Sequence, residues 1–138
     1  MEFGLSEDQK LLQESIRGTL EKVSPLERVR KAAEAREDFA EDVWAALKDL
    51  GVPGMLVPEE HGGMGMALLD AALVAEMLGR YVAPVPFIAT AVMAPIAVAG
   101  AGSKAQPEAG LPKRARGYAR AGCAVAEAAP GAGDGPCV

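Results

Sequence analysis

The sequence has 138 residues, half of them hydrophobic but only 4% aromatic, a length that fits one domain with at most a small second piece and excludes a large two-domain enzyme. Its 14 Lys and Arg against 19 Asp and Glu leave a net charge of −5, the wrong sign for gripping phosphates, so nucleic acid is not an expected partner.

Residues 1–99 hold 16 acids and 9 bases, whereas residues 100–138 hold 3 acids and 5 bases. The second stretch also has few large apolar side chains, too few to offset the entropy of ordering it alone. Acids at Glu2, Glu7 and Asp8 stand where a secretory leader would place bases, so the chain reads as intracellular and cytoplasmic. Cys123 and Cys137 are the two cysteines, which gives neither a disulfide framework nor a metal-knuckle spacing.

In chain order, Ser6-Glu7-Asp8-Gln9 has the form of a capping box and predicts a helix over residues 7–23. Leu12, Ile16, Leu20 and Val23 form its apolar stripe, with Leu11 and Thr19 alongside. Ser24-Pro25-Leu26-Glu27 predicts a second helix to about Arg36 with Pro25 at its first position. Asp38-Phe39-Ala40-Glu41 predicts a third, burying Phe39, Val43, Leu47 and Leu50 with Trp44 at the edge, and Gly51 supplies a left-handed stop. Residues 52–66, with two prolines and four glycines, predict an ordered loop set against the core.

A fourth helix is expected over residues 67–78, with Leu69, Leu73 and Met77 inward and Gly79 at its end. From Val82 to Ser103 no residue is charged, long enough to raise a membrane span. Pro84, Pro86 and Pro95 interrupt the run and favour instead a buried bundle helix over residues 87–101, kinked or split at Pro95. Ser103-Lys104-Ala105-Gln106 announces another helix, which Pro107, Gly110 and Pro112 weaken. The end of the chain, turn-rich from Ala128 to Pro136, is expected to be loop or disordered. No convincing strand appears before residue 120. The fold class is therefore all-α, an orthogonal or up-down bundle of about five to six helices with a Gly/Pro-rich C-terminal tail.

Composition and spacing offer no catalytic residue and no metal site. His61, the single histidine, lacks further ligands at metal spacing and has no serine or cysteine nucleophile close to it in sequence. Gly62-Gly63-Met64-Gly65 has neither the preceding strand nor the Gly-Lys-Ser/Thr of a phosphate loop, so tight backbone packing is the better account. The pairs Glu41-Asp42 and Glu59-Glu60 sit in polar settings that would not raise a carboxyl pKa.

Three ordered segments nevertheless carry a family pattern. Phe3-x-Leu5-Ser6-Glu7-Asp8-Gln9-x-Leu11-Leu12 comes first. Then follows Trp44-x-x-Leu47-x-x-Leu50-Gly51-Val52-x-Gly54-Met55-Leu56-Val57-Pro58-Glu59-Glu60-His61-Gly62-Gly63-Met64-Gly65. Ala75-Glu76-Met77-Leu78-Gly79-Arg80 completes the set. Together they resemble the N-terminal helical domain of the acyl-CoA dehydrogenases, over about residues 1–127. The resemblance implies a domain at residues 1–120 and, at 121–138, a remnant of the start of the family's middle β domain.

It further implies FAD as cofactor, an acyl-CoA substrate, and α,β-dehydrogenation in which a carboxylate removes the α proton while the flavin takes hydride from the β carbon. It implies assembly with dehydrogenase subunits in a homo- or hetero-oligomer. By position, Ala89, Thr90 and Met93 resemble the helix that lines the acyl pocket. Val125, Ala126, Gly133 and Asp134 stand where the family contacts flavin. There Cys123 replaces an aromatic residue, Ala126 a threonine and Asp134 a serine, and the Gly-Ala-Gly comes two residues late. Upstream, Gly110 replaces an aromatic residue, Arg114 an aliphatic one and Tyr118 an acid.

The family's base comes from a C-terminal domain that this stretch does not include, so the sequence alone predicts a domain inactive by itself. A different reading is a non-catalytic helical module that docks onto a full-length dehydrogenase or another partner.

Overall fold

The computed structural model describes residues 4–103 and 105–122. Within them the chain forms six α-helices, α1 (Glu7–Val23), α2 (Leu26–Glu34), α3 (Glu41–Asp49), α4 (Leu68–Arg80), α5 (Ala94–Ala101) and α6 (Ala105–Ala115). Two 3-10 turns, Val52–Gly54 and Glu59–His61, and a π-helical segment, Ile88–Met93, complete the set, and no strand occurs among the described residues. The all-α expectation holds there. The tail lies mostly outside the described residues.

α1 begins as its sequence dictates: the Gln9 N–H donates to Ser6 Oγ at 3.2 Å and the Ser6 N–H donates to Gln9 Oε1 at 3.1 Å. Its stripe packs against α3 and α4, with Ile16 and Leu20 fully buried and Leu12 and Val23 partly so. Leu11 does not join them; it is 66% exposed. Around this seam Val43, Trp44 and Leu47 of α3, Ala71, Val74, Met77 and Leu78 of α4, and Phe87 and Ala91 further on close one apolar core.

Several helix boundaries differ from expectation because tertiary partners compete for the capping groups. Ser24 does not cap α2: its N–H ends α1 on the Leu20 carbonyl, its buried hydroxyl donates to the Tyr81 carbonyl at 3.4 Å, and Pro25 takes the N-cap position. Asp38 does not open α3, whose N-cap is the fully buried Ala40, held by its N–H to the Pro84 carbonyl at 3.0 Å. Trp44 lies in the core at 4% exposure rather than at an edge. Gly51 does stop α3, at φ +77°.

α4 runs past Gly79 to Arg80. Its end is a Schellman arrangement in which the Ala83 N–H donates to Leu78 O and the Val82 N–H to Gly79 O. The left-handed position thus falls to Val82, at φ +47°. Leu69 is 56% exposed and faces outward, while Leu73 and Met77 are buried as expected and are joined by Ala71, Val74 and Leu78.

The uncharged run forms the π segment followed directly by α5, with Pro95 in the first turn of α5. Among the described residues no helix is long and apolar enough to cross a membrane. α6 is firmer than its prolines suggest: it spans Ala105–Ala115 with Pro112 inside. Leu111, fully buried, anchors it, and α6 lies across α5 and both 3-10 turns. Tertiary burial here overrides the roughly 3 kcal/mol that an interior proline costs a helix.

Candidate functional site

The π segment places the three residues expected at an acyl pocket on one element. Thr90 is 1% exposed, whereas Ala89 and Met93 are half-buried. π turns arise where one residue is inserted into an α-helix and are frequent at functional positions. The Thr90 hydroxyl is fully engaged: Oγ1 donates to the Ala121 carbonyl and accepts from the Ala121 N–H, both at 3.2 Å. One side chain therefore replaces a pair of ladder bonds and ties the segment leaving α6 to the middle of the bundle. Val125, Ala126, Gly133 and Asp134, expected at the flavin, lie outside the described residues.

Several grooves flank the bundle among the described residues. Between α5 and α6 runs one of about 470 Å3, lined by Ala97, Val98, Ala101, Gln106, Gly110 and Arg114 among others. Beside the end of α4 is an apolar groove of about 380 Å3, bounded by Leu78, Val82, Phe87 and Ile88. A third, of about 260 Å3, is walled by Phe39, Trp44, Lys48, Tyr118 and Arg120. Its cations lie on aromatic faces, Lys48 Nζ at 5.0 Å from the Tyr118 ring and Arg120 at 4.5 Å from that of Phe39. Ala89, Thr90 and Met93 line none of these three grooves.

The glycine loop is hydrogen-bonded to itself. The Gly63 N–H donates to the Pro58 carbonyl at 3.2 Å, the Met64 N–H to Gly54 O at 3.0 Å and the Gly65 N–H to Val57 O at 2.9 Å. The donors a phosphate would need are therefore consumed by the loop itself. His61 lies 3.6 Å from Glu60, and no group of three metal-ligating side chains forms among the described residues. Asp42 is held by the Arg28 guanidinium at 3.0 Å, which also grips Glu37 at 2.8 Å. That hydrogen bond keeps the Asp42 carboxyl below its ordinary pKa, the opposite of what a general acid needs.

Two side chains with buried polar atoms stand out that the sequence did not mark as site residues. Trp44 Nε1, and Nε and Nη1 of Arg114, are buried without a hydrogen-bond partner among the described residues. The signal for Arg114 was present: a cation where the resembling family carries an aliphatic side chain.

Comparison with known proteins decides the family. The family model described as acyl-CoA dehydrogenase, N-terminal domain, matches residues 6–118. The chain belongs to the acyl-CoA dehydrogenase family. It is 37% identical over 87 residues to acyl-CoA dehydrogenase IpdE2 of Mycolicibacterium smegmatis, covering 62% of this chain and 28% of that protein. Its fold matches the crystal structure of the ChsE4–ChsE5 complex from Mycobacterium tuberculosis with a TM-score of 0.79 at 26% identity, over 87% of this chain and 33% of the other.

A variant of the Tcur3481–Tcur3483 steroid ACAD matches with a TM-score of 0.73 at 34% identity, over 83% of this chain and 31% of the other. The chain thus spans between a quarter and a third of the dehydrogenases it matches.

Against a flavin, the described part of this acyl-CoA dehydrogenase domain fits poorly by itself. The Thr90 hydroxyl and both backbone groups of Ala121 satisfy one another, and the glycine-loop N–H groups are spent internally.

Proposed function

We propose that this chain supplies the N-terminal helical domain of an FAD-dependent acyl-CoA dehydrogenase, which carries out α,β-dehydrogenation of acyl-CoA thioesters. The observation that carries the reading is the family match over residues 6–118 on a helical fold that superposes on solved dehydrogenases. On this reading the domain is scaffold and wall: residues 1–120 form the helical unit, and residues 121–138 begin the β domain. Ala89 and Met93 border the acyl chain, Thr90 holds Ala121, and Val125, Ala126, Gly133 and Asp134 contribute to the cofactor site.

FAD would be the hydride acceptor, and the base and most of the flavin contacts come from the β and C-terminal domains. The 138 residues alone are therefore inactive, and the cytoplasm is their place of work. The steroid ACAD among the relatives supports testing a ring-bearing acyl-CoA beside a straight-chain one.

A second reading has support of its own: one solved relative is a complex of two named subunits. In it the chain is a non-catalytic module seated on a dehydrogenase partner.

The test is a flavin titration with octanoyl-CoA and a steroid-side-chain acyl-CoA. The isolated chain should stay colourless and inactive. Joined to or mixed with a polypeptide carrying the β and C-terminal domains of a relative, it should yield a yellow complex that reduces an artificial electron acceptor. Tight flavin binding by the isolated chain would overturn the proposal, and so would a joined protein that folds but remains colourless. Binding to an intact dehydrogenase without any gain of activity would select the module.

A further inference from the structure

We propose that residues 117–121 form a latched strap that lifts off α3 and the π segment as one unit while the helical bundle stays folded. Two cations, Lys48 and Arg120, set the strength of the latch. The behaviour of the strap is independent of the dehydrogenase reading.

The strap begins where α6 ends. A Schellman closure turns the chain there, with the Tyr118 N–H donating to Lys113 O at 3.0 Å and the Gly117 N–H to Arg114 O at 2.8 Å, and Gly117 takes the left-handed position at φ +67°. The chain then crosses to the π segment, where Ala121 meets the Thr90 hydroxyl through its two 3.2 Å bonds. Between these ties the N–H groups of Ala119 and Arg120 make no hydrogen bond among the described residues.

Side-chain contacts hold the crossing to α3 and to the residues that lead into it. Lys48 Nζ lies 5.0 Å from the centre of the Tyr118 ring, and the Arg120 guanidinium 4.5 Å from that of Phe39. The Lys48 stem reaches Tyr118 by lying across Gly117: the first carbon of a side chain at 117 would fall 2.6 Å from Lys48 Cγ and 2.9 Å from Cδ. Between strap and helix runs the groove of about 260 Å3 that Phe39 and Trp44 help to wall. The strap thus spans a gap instead of packing into the core, and Tyr118 is 76% exposed.

Segments with few buried apolar contacts and few backbone hydrogen bonds open at a smaller free energy than the whole domain. Here the contrast with the surroundings is sharp. Leu111 of α6 and Leu47 of α3 have no exposed surface, and Thr90 and Ala91 are buried, so lifting is confined to the far side of Gly117, where a glycine supplies the turning freedom. Loss of either cation weakens the latch and leaves the core untouched. The order of the chain leaving the helical unit is in this way set separately from the stability of the bundle.

Native-state hydrogen exchange of the 138-residue chain, read by NMR at low urea and corrected for intrinsic rates, tests the strap. The Tyr118 and Ala121 amides should share one protection factor, about tenfold or more below that of the Leu20 and Leu47 amides and unchanged by urea below the unfolding transition. An exposed cation–π contact is worth about two- to fivefold in an equilibrium. Lys48→Gln and Arg120→Gln should therefore each speed both strap amides by that factor and leave Leu20 and Leu47 as they were.

Gly117→Ala, which drives the Lys48 stem aside, should also speed them, and by a smaller factor when Lys48 is already alanine. Exchange of Tyr118 or Ala121 at the rate of an unstructured chain would overturn the proposal, because no latch would then exist. Unequal protection of the two, protection and urea dependence equal to those of Leu20 and Leu47, or indifference to both Lys48→Gln and Arg120→Gln would each overturn it as well.

Discussion

Gly63 offers a severe test of how the loop between α3 and α4 is built. A methyl group added there would overlap the carbonyl oxygen, carbonyl carbon and Cβ of Val57, none of which can rotate aside, and Val57 is itself fully buried. Accommodation must move the loop, and with it the Gly65 N–H bond to Val57 at 2.9 Å and the Met66 N–H bond to Met55 at 2.8 Å. Overpacking of this kind costs about 1–3 kcal/mol, and one net hydrogen bond lost adds about 1 kcal/mol. Gly63→Ala should therefore destabilise the chain by about 2–4 kcal/mol in urea unfolding followed by circular dichroism, or roughly 8–16 °C at the roughly 4 °C per kcal/mol expected near this size.

The neighbours provide the controls. Gly62, at φ +80° with open space around it, should pay only the left-handed backbone penalty of about 1–2 kcal/mol on becoming alanine. Exposed Gly79, inside α4 with nothing within reach, should gain up to about 1 kcal/mol. A Gly63→Ala protein that melts within about 1 °C of the parent, or less perturbed than Gly62→Ala, would refute the close-approach argument.

Leu47→Ala, at a position with no exposed surface, should cost about 2–5 kcal/mol by opening a cavity where α1, α3 and α4 meet, measured by denaturant unfolding. Thr90→Val keeps the shape but leaves the Ala121 N–H and C=O unpaired, so about 1–3 kcal/mol should be lost and the Ala121 amide should exchange faster with deuterium. Asp42→Asn tests the ion pair with Arg28. Because its folded-state pKa is depressed below the ordinary 3.8, chiefly by the Arg28 hydrogen bond, its contribution is present above that value and lost as pH falls through the lower one. The stability difference between Asp42→Asn and the parent should therefore be constant from about pH 5 to 8 and vanish in acid, and a difference that grows below pH 4 would contradict the assignment.

Where local chemistry and burial agreed, the sequence was a reliable guide. The capping box at Ser6 placed α1 correctly because both of its hydrogen bonds are made between residues three apart. Gly51 stopped α3 because a glycine met an unopposed need for a left-handed residue. Gly79 misled for the converse reason: Leu78, on the buried face of α4, carries the helix past it, and Val82 is forced into the left-handed position. Ser24 and Asp38 misled because Tyr81 and Pro84, almost sixty and more than forty residues away, claim the groups at those helix starts.

In the candidate site, Thr90 was found through family resemblance, but its tie to Ala121 spans thirty-one residues and no periodicity could reveal it. Arg114 was visible as an odd substitution, while its unpaired donors became evident only once α5 and α6 were packed together.

The π segment at Ile88–Met93 sets the rotational phase of everything that follows. An α-helix turns about 100° per residue, so removing one residue there to restore regular winding would swing Pro95 and Ala94 out of the core and carry α6, with the Leu111 anchor, around the bundle. A single-codon deletion in this stretch should thus damage the molecule more than most substitutions within it, and natural length variation among relatives is expected to spare these six positions and collect in the exposed turns.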